Sequence, residues 1–265
     1  MKISQLIRHA APGLVLVVGL ILWQCLVSAY SIREVLLPSP FAVGSALIHM
    51  KSELWAATQR TALAASCGLI SSTVTGVLIA SVFCQSGPVR RTFYPYAILL
   101  QTMPIIALAP IVIAAFGRGI VSIMLISTIL SLFPIITSTT TGLLQIDQSL
   151  IELFRLHSAT RWQTFWKLRL PNAVPYLISG IRIASGTAIV GAIVGEFFVG
   201  SSQPGLGAMI QTKYGVFETA ELYATVAVST SLGITSFGIV SIAGDLILRQ
   251  FAHGRSRNVA ATLHK

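Results

Sequence analysis

Charge is what this sequence has least of. Only 10% of its 265 residues are Asp, Glu, Lys or Arg, against about 25% in a soluble domain. Hydrophobic residues make up 54%, and the mean hydropathy is +0.80. That shortage excludes an ordinary water-soluble domain and indicates a membrane protein. Cysteine is also scarce. Cys25, Cys67 and Cys84 lie in apolar runs with no C-x-x-C spacing and no histidine partner, so they read as packing residues. His9, His49, His157, His253 and His264 are scattered, and there is no H-E-x-x-H or carboxylate cluster. No metal, cofactor or catalytic centre is therefore expected. A G-x-x-x-x-G-K-[ST] phosphate loop is missing, as is any Gly-Lys pair, so nucleotide chemistry is not expected on this chain.

What is present is a series of long uncharged stretches. The N-terminus, "MKISQLIRHAAPGLVLVVGLILWQCLVSAYS", could open a signal peptide. Yet His9 to Ile32 carries no charge (histidine counted neutral) for 24 residues, beyond the roughly 7–15 of a signal core and near the ~20 of a crossing helix. It is read as an uncleaved first span. Further runs cover Thr61–Cys84, Phe93–Gly117, Gly119–Leu143, Ala173–Val199 (interrupted by Arg182 and Glu196) and Leu222–Leu248 (with Asp245 near its end). Each is long enough to cross about 30 Å of hydrocarbon. The expectation is an all-α integral membrane protein of six transmembrane helices. It divides into an N-terminal span and outer segment (1–60), a transmembrane domain (61–248) and a basic tail (249–265), disordered or lying on anionic lipid.

The formal charge of +10 could suggest nucleic acid, but its distribution follows the membrane instead. With both termini inside, the cytoplasmic segments hold Lys2, Arg8, Arg90, Arg91, Arg155, Arg161, Lys167, Arg169, Arg249, Arg255, Arg257 and Lys265. The opposite loops hold Arg33, Lys51, Arg60, Arg118 and Lys213. A 12-to-5 bias predicts cytoplasmic termini and no nucleic-acid partner.

The largest cytoplasmic loop, between spans four and five, contains "RWQTFWKLRLPNAVP". From Gln148 to Arg169 the pattern is helical, with Trp162, Phe165 and Trp166 on one face at i, i+3, i+4. Pro171 is expected to stop that helix, and Pro175 to sit in the first turn of span five. A short basic, aromatic helix has three uses: lying in lipid headgroups, serving as a solvated positive loop, or inserting into a partner's groove.

The segment "IELFRLHSATRWQTFWKLRLPNAVPYLISGIRIA" resembles the cytoplasmic EAA loop of ABC-importer permeases, with Glu152 at the motif's glutamate and Leu170-Pro171 at its Leu-Pro. "LLPSPFAVGSAL", "QTMPIIALAPIVIAAFGRG", "FPIITSTTTGLLQID" and "GEFFVGSSQPGLGAMI" resemble the nitrate/sulfonate/taurine branch, in order from about Leu36 to Leu248. Two departures stand out: Leu153 and Phe154 replace the motif's alanines, and Ser158 replaces its glycine, which would permit φ > 0 in the turn. The resemblance implies a permease subunit of a bacterial inner-membrane importer, paired as a homodimer and served by separate ABC ATPase subunits and a periplasmic solute-binding protein. It also implies that Glu152, Ser158, Arg161, Trp162, Phe165, Trp166, Leu170 and Pro171 form the ATPase-coupling loop. The solute expected is of the nitrate, sulfonate, taurine or pyrimidine-vitamin-precursor class. A secondary transporter without an ATPase is the alternative, disfavoured by six spans and one docking loop.

Within the spans, Arg182 and Glu196 are the most deeply embedded charges. Arg182 reads as snorkelling to cytoplasmic phosphates. Glu196 reads either as a structural hydrogen-bond acceptor or as a gate at the outer mouth. Gly180, Ala184, Ala188 and Ala192 recur every four residues, either for close helix packing or lining a path. Gln101, one turn before Pro104, is a candidate polar contact in that path. Pro104, Pro110 and Pro134 each remove a backbone donor.

Overall fold

The computed structural model describes residues 2–199 and 204–263, and side chains within 13–199 and 204–250. Helix α1 (Lys2–Ala29) is followed by α2 (Pro40–His49), α3 (Lys51–Gln85), α4 (Gly87–Thr102), α5 (Ile105–Phe116) and α6 (Ile120–Leu144). Then come α7 (Gln148–Leu156), α8 (Arg161–Thr164), a π-helical turn (Phe165–Arg169), α9 (Leu170–Val199), α10 (Leu206–Gly215) and α11 (Thr219–Leu263). The stretch Leu-Pro-Ser-Pro starts α2 by familiar chemistry. Ser39 accepts from the Ala42 N–H at 3.1 Å, and Pro40 fills the first helical turn, where no donor is needed.

Among the described residues, four helices are long and apolar enough to cross a membrane: Lys51–Gln85, Ile120–Leu144, Arg161–Val199 and Thr219–Gln250. The run Phe93–Gly117 is not one straight span. It is two helices, α4 and α5, bent by 103° at Met103-Pro104, and together they can form a fifth crossing. The cause is local: Met103 precedes a proline and lies extended at φ −66°, ψ 125°, while Pro104 offers no N–H to continue the ladder. The described apolar part of α1, Gly13–Ala29, is shorter than the roughly 20 residues of a straight crossing.

The core is a three-helix stack of α3, α6 and α9. Small residues let the backbones approach. At Gly191 an added Cβ would lie 2.7 Å from the Cα of Ser127, and Ser127 Oγ donates to the Ala188 carbonyl at 2.9 Å. With no apolar solvent effect between helices in lipid, such close packing and interhelical hydrogen bonds hold the bundle. Gly180, Ala184 and Ala188 are buried, and a Cβ on Gly180 would meet Ser138 and the Pro134 carbonyl of α6. These residues therefore pack one helix on another within the chain.

The divisions at 60/61 and 248/249 both fall inside helices, α3 and α11. The basic tail continues α11 as helix through Leu263 rather than as an irregular segment; its end at Lys265 is outside the described residues. So are the Gly200–Gln203 part of "GEFFVGSSQPGLGAMI" and the side chains of Lys2, Arg8, Arg255 and Arg257.

Candidate functional site

The loop between α6 and α9 is built on a locked base. Asn172 Nδ2 donates to the carbonyls of Gly142 and Gln145, both at 2.9 Å, and Arg169 donates to the Leu143 carbonyl at 3.3 Å and to Cys84 Sγ at 3.1 Å. These carbonyls belong to the end of α6, where a helix runs out of its own donors. Side chains from the start of α9 thus cap α6. Below them Phe165, Leu143, Ala80 and Ala173 form a buried cluster, with Cys84 and Leu170 against it.

From that base the chain makes one short helix and one sharp turn. Asp147 caps α7, accepting from the Ser149 N–H at 3.0 Å. Hydrogen bonds from the Ser149 hydroxyl and N–H hold the Asp147 carboxyl below its ordinary value. α7 ends at Leu156, and Ser158 takes a left-handed conformation at φ 51°. The Ser158 N–H donates to the Arg155 carbonyl at 2.9 Å and the Ala159 N–H to the Phe154 carbonyl at 3.0 Å. Those two bonds define a Schellman turn, whose left-handed position favours glycine. Serine keeps the geometry at a steric cost. Thr160 and Gln163 then form a reciprocal capping box: Thr160 Oγ1 accepts from the Gln163 N–H at 3.2 Å, and Gln163 Oε1 accepts from the Thr160 N–H at 2.9 Å.

The Gln148–Arg169 pattern is therefore two helices divided by a turn, not one. Nor does Pro171 end the second. Residues Arg161–Val199 run as a single helical path, with the π turn at Phe165–Arg169 just upstream, where Leu170 N–H reaches back to the Phe165 carbonyl. That wider turn is where the ladder absorbs the donor missing at Pro171. Pro175 lies inside α9 rather than in its first turn.

The aromatic triad divides. Trp162 is 60% exposed and Trp166 52%, whereas Phe165 is 6% exposed. The three rings touch, with centroids 5.8–5.9 Å apart. Phe165 is thus committed to the chain's own core, and the two tryptophans are presented outward. Glu152, Ser158 and Arg161 are exposed, and the Glu152 and Arg161 side chains have no hydrogen-bond or ion-pair partner among the described residues. Leu170 and Pro171 are half-buried.

The other end of α9 holds Glu196, which is 4% exposed. Thr61 of α3 donates its hydroxyl to the carboxylate, 2.9 Å from each oxygen, and accepts from the Leu206 N–H at 2.9 Å. The Gly207 N–H donates to Oε2 at 2.9 Å. The carboxylate therefore caps the first turn of α10, where orphan donors and the helix dipole favour an anion. A Cβ on Gly205 would collide with that carboxyl. Glu196 joins α3, α9 and α10 as a buried hydrogen-bond acceptor. Nearby, Lys213 pairs with Glu218 at 2.7 Å and with Glu221, tying α10 to α11. Gln101 is exposed at the end of α4, beside the bend.

Arg182 does not reach for phosphate. It pairs with Asp245 of α11 at 2.5 Å and donates to the Ser241 carbonyl at 3.3 Å. Asn172, Thr61, Gly205, Gly207 and Asp245 were not singled out by sequence reasoning; only Thr160 and Gln163 carried a local signal, the T-x-x-Q of a capping box.

The described residues thus form a bundle of long apolar helices with a short outward loop at one end and a capped turn at the other. The sequence profile of the binding-protein-dependent transport system inner membrane component family matches residues 72–256, and the chain belongs to that family. It is similar to the formylaminopyrimidine transport permease of Halalkalibacterium halodurans, 32% identical over 239 residues, covering 89% of this chain and 94% of that one. The riboflavin transport system permease of Chloroflexus aurantiacus is 29% identical over 254 residues, covering 94% of each. The nitrate import permease of Synechocystis sp. is 27% identical over 218 residues, covering 77% and 76%. A solved chain of the methionine ABC transporter in an inward-facing conformation shares the fold, with a TM-score of 0.57 at 23% identity, covering 76% of this chain and 95% of that one. This protein is thus a permease subunit of an ABC importer, working with a separate ATPase and a binding protein.

Proposed function

We propose that this permease couples ATP hydrolysis to transport through the α7–α8 loop, with Trp162 and Trp166 seated in a groove of the ATPase. The observation that carries the reading is the division of the aromatic triad: two tryptophans outward, and Phe165 buried in the base that ties α6 to α9. Large aromatic side chains on a rigid base are the usual anchors of a docking surface. Glu152 and Arg161, exposed and unpaired, orient the loop at its rim, where charges act mainly on encounter and register. Because α6 and α9 are fastened to each other at the loop, displacement of the loop moves both spans together.

In this reading the chain crosses the bacterial inner membrane six times: α1, α3, the bent α4–α5 pair, α6, α9 and α11. Both termini and the coupling loop face the cytoplasm, as the 12-to-5 charge bias supports. Two copies form the path as a homodimer, with lipid around them. Glu196 and the start of α10 then lie at the periplasmic end, on the side from which the binding protein delivers solute.

For the solute we favour a heteroaromatic vitamin or vitamin precursor over nitrate or a sulfonate. The support is that the relatives named for formylaminopyrimidine and riboflavin align over 94% of their own lengths, against 76% for the nitrate permease. Uptake of labelled formylaminopyrimidine, riboflavin, taurine and nitrate by cells with and without this chain tests the choice. Dependence on the chain for one of the first two supports it, and dependence only for taurine or nitrate overturns it.

A further inference from the structure

We propose a binding site for the phosphate of an anionic phospholipid between the first turns of α4 and the last turns of α6. A cavity of about 380 Å³ lies there, lined by Arg90, Arg91, Tyr94, Thr140 and Thr141 among others. Neither arginine side chain makes a hydrogen bond or ion pair among the described residues. The sequence offers them little choice, because no Asp or Glu occurs between Glu53 and Asp147. Arg90 is half-buried, and a guanidinium partly out of water with no acceptor is costly until an anion meets it.

A second observation points into the same cavity. Thr140 is 4% exposed, and its hydroxyl has no hydrogen-bond partner. Buried hydroxyls are normally satisfied, and most other threonines of this bundle bond the carbonyl one turn earlier, as Thr137 and Thr141 do. A phosphate oxygen held by Arg90 and Arg91 supplies the acceptor that Thr140 lacks after a small rotation of its side chain. The positive end of α4, a 16-residue helix, adds to the attraction.

The lipid, rather than a free anion, follows from what lies beyond the cavity. Past its first turns α4 becomes apolar and outward-facing, with Phe93, Tyr96, Ile98 and Leu99 all exposed. Cations at the start of a helix followed by aromatic and aliphatic residues match a headgroup with its acyl chains alongside. The cavity is also at the same end of the bundle as the coupling loop, since Thr141 and Leu144 are in the last turns of α6 that Asn172 and Arg169 cap. A lipid there would brace the loop's base.

Native mass spectrometry of the full chain, purified with its partners and equilibrated with phosphatidylglycerol or phosphatidylcholine, tests the site. Phosphatidylglycerol should be retained preferentially. Arg90→Gln with Arg91→Gln should lower that retention about tenfold or more, the factor for losing one charge-assisted contact. Thr140→Val should lower it less, and Arg118→Gln should leave it unchanged. Arg90→Lys with Arg91→Lys should preserve part of the binding and so separate lost contact from lost folding. Equal retention by the glutamine variant overturns the site. So does displacement of the lipid by millimolar inorganic phosphate, which would mark a soluble-anion site. Loss of the ATPase with unchanged lipid retention would mark a protein contact and overturn it too.

Discussion

Asn172 reaches back 27 residues to the Gln145 carbonyl at 2.9 Å, and the same amide holds Gly142. One side chain at the start of α9 therefore closes the base of the loop and fastens α6 to α9. A loop fastened in this way can transmit a push; an unfastened one would flex. Each bond of this kind contributes roughly 1 kcal/mol, which is small against folding and large against a hinge. Asn172→Ala should leave the ATPase bound and hydrolysing while solute moved per ATP falls several-fold. Parallel assays of ATPase and uptake in proteoliposomes decide it: a proportional fall in both, tracking the amount of folded protein, would make Asn172 merely structural.

Ser158 sits at φ 51° in a turn whose hydrogen bonds are intact. The strain belongs to the side chain's Cβ, which glycine lacks. Ser158→Gly should stabilise the loop by about 1 kcal/mol, raising the melting temperature slightly, whereas Ser158→Val should lower it. Thermal unfolding followed by detergent-phase size exclusion checks both directions.

Glu196 and Thr61 share a buried hydrogen-bonded cluster with the start of α10. Glu196→Gln leaves one of those groups facing a donor instead of an acceptor and should cost about 1–3 kcal/mol. Gly205→Ala should be at least as damaging, because its methyl enters the space of the carboxyl. Both should reduce folded protein and uptake together. A glutamine variant that folds as well as the wild type yet fails to transport would support the gate reading.

Asp147 caps α7 with a carboxyl held below its ordinary value by Ser149. A depressed carboxyl contributes stability above its unfolded value and loses it as pH falls through the folded one. Hydrogen exchange across Gln148–Leu156 should therefore be protected at neutral pH and quicken below about pH 4, after correction for intrinsic exchange rates. Asp147→Asn should remove the pH dependence.

Local rules make much of this legible in the sequence. The apolar runs anticipate the long helices and the EAA resemblance points to the turn at Ser158, whereas Phe93–Gly117 reads as one continuous span through the 103° bend at Pro104. What remained hidden depends on distance in the chain. Thr61 and Glu196 are 135 residues apart, and Arg182 meets Asp245 across 63; no periodicity reports such pairs. Periodicity also misjudged Phe165. Helical spacing puts it on a face with Trp162 and Trp166, but the π turn and the underlying Ala80, Leu143 and Ala173 pull it inward. The small-residue stripe on α9 could not by itself say whether α6 or a solute would cover it.

The exposed tryptophans are the point on which the coupling account turns. The direct measurement is retention of the ATPase by affinity-purified permease carrying Trp162→Ala with Trp166→Ala, compared with Arg161→Ala and Phe165→Ala. Truncating buried aromatic anchors costs roughly 2–4 kcal/mol, so the double variant should weaken ATPase retention on the order of a hundredfold while folding normally. Arg161→Ala should have a slight effect, and Phe165→Ala should lower stability first, by about 3–5 kcal/mol. ATPase retained at the wild-type level by the tryptophan double variant would contradict the account and leave the pair to the lipid surface.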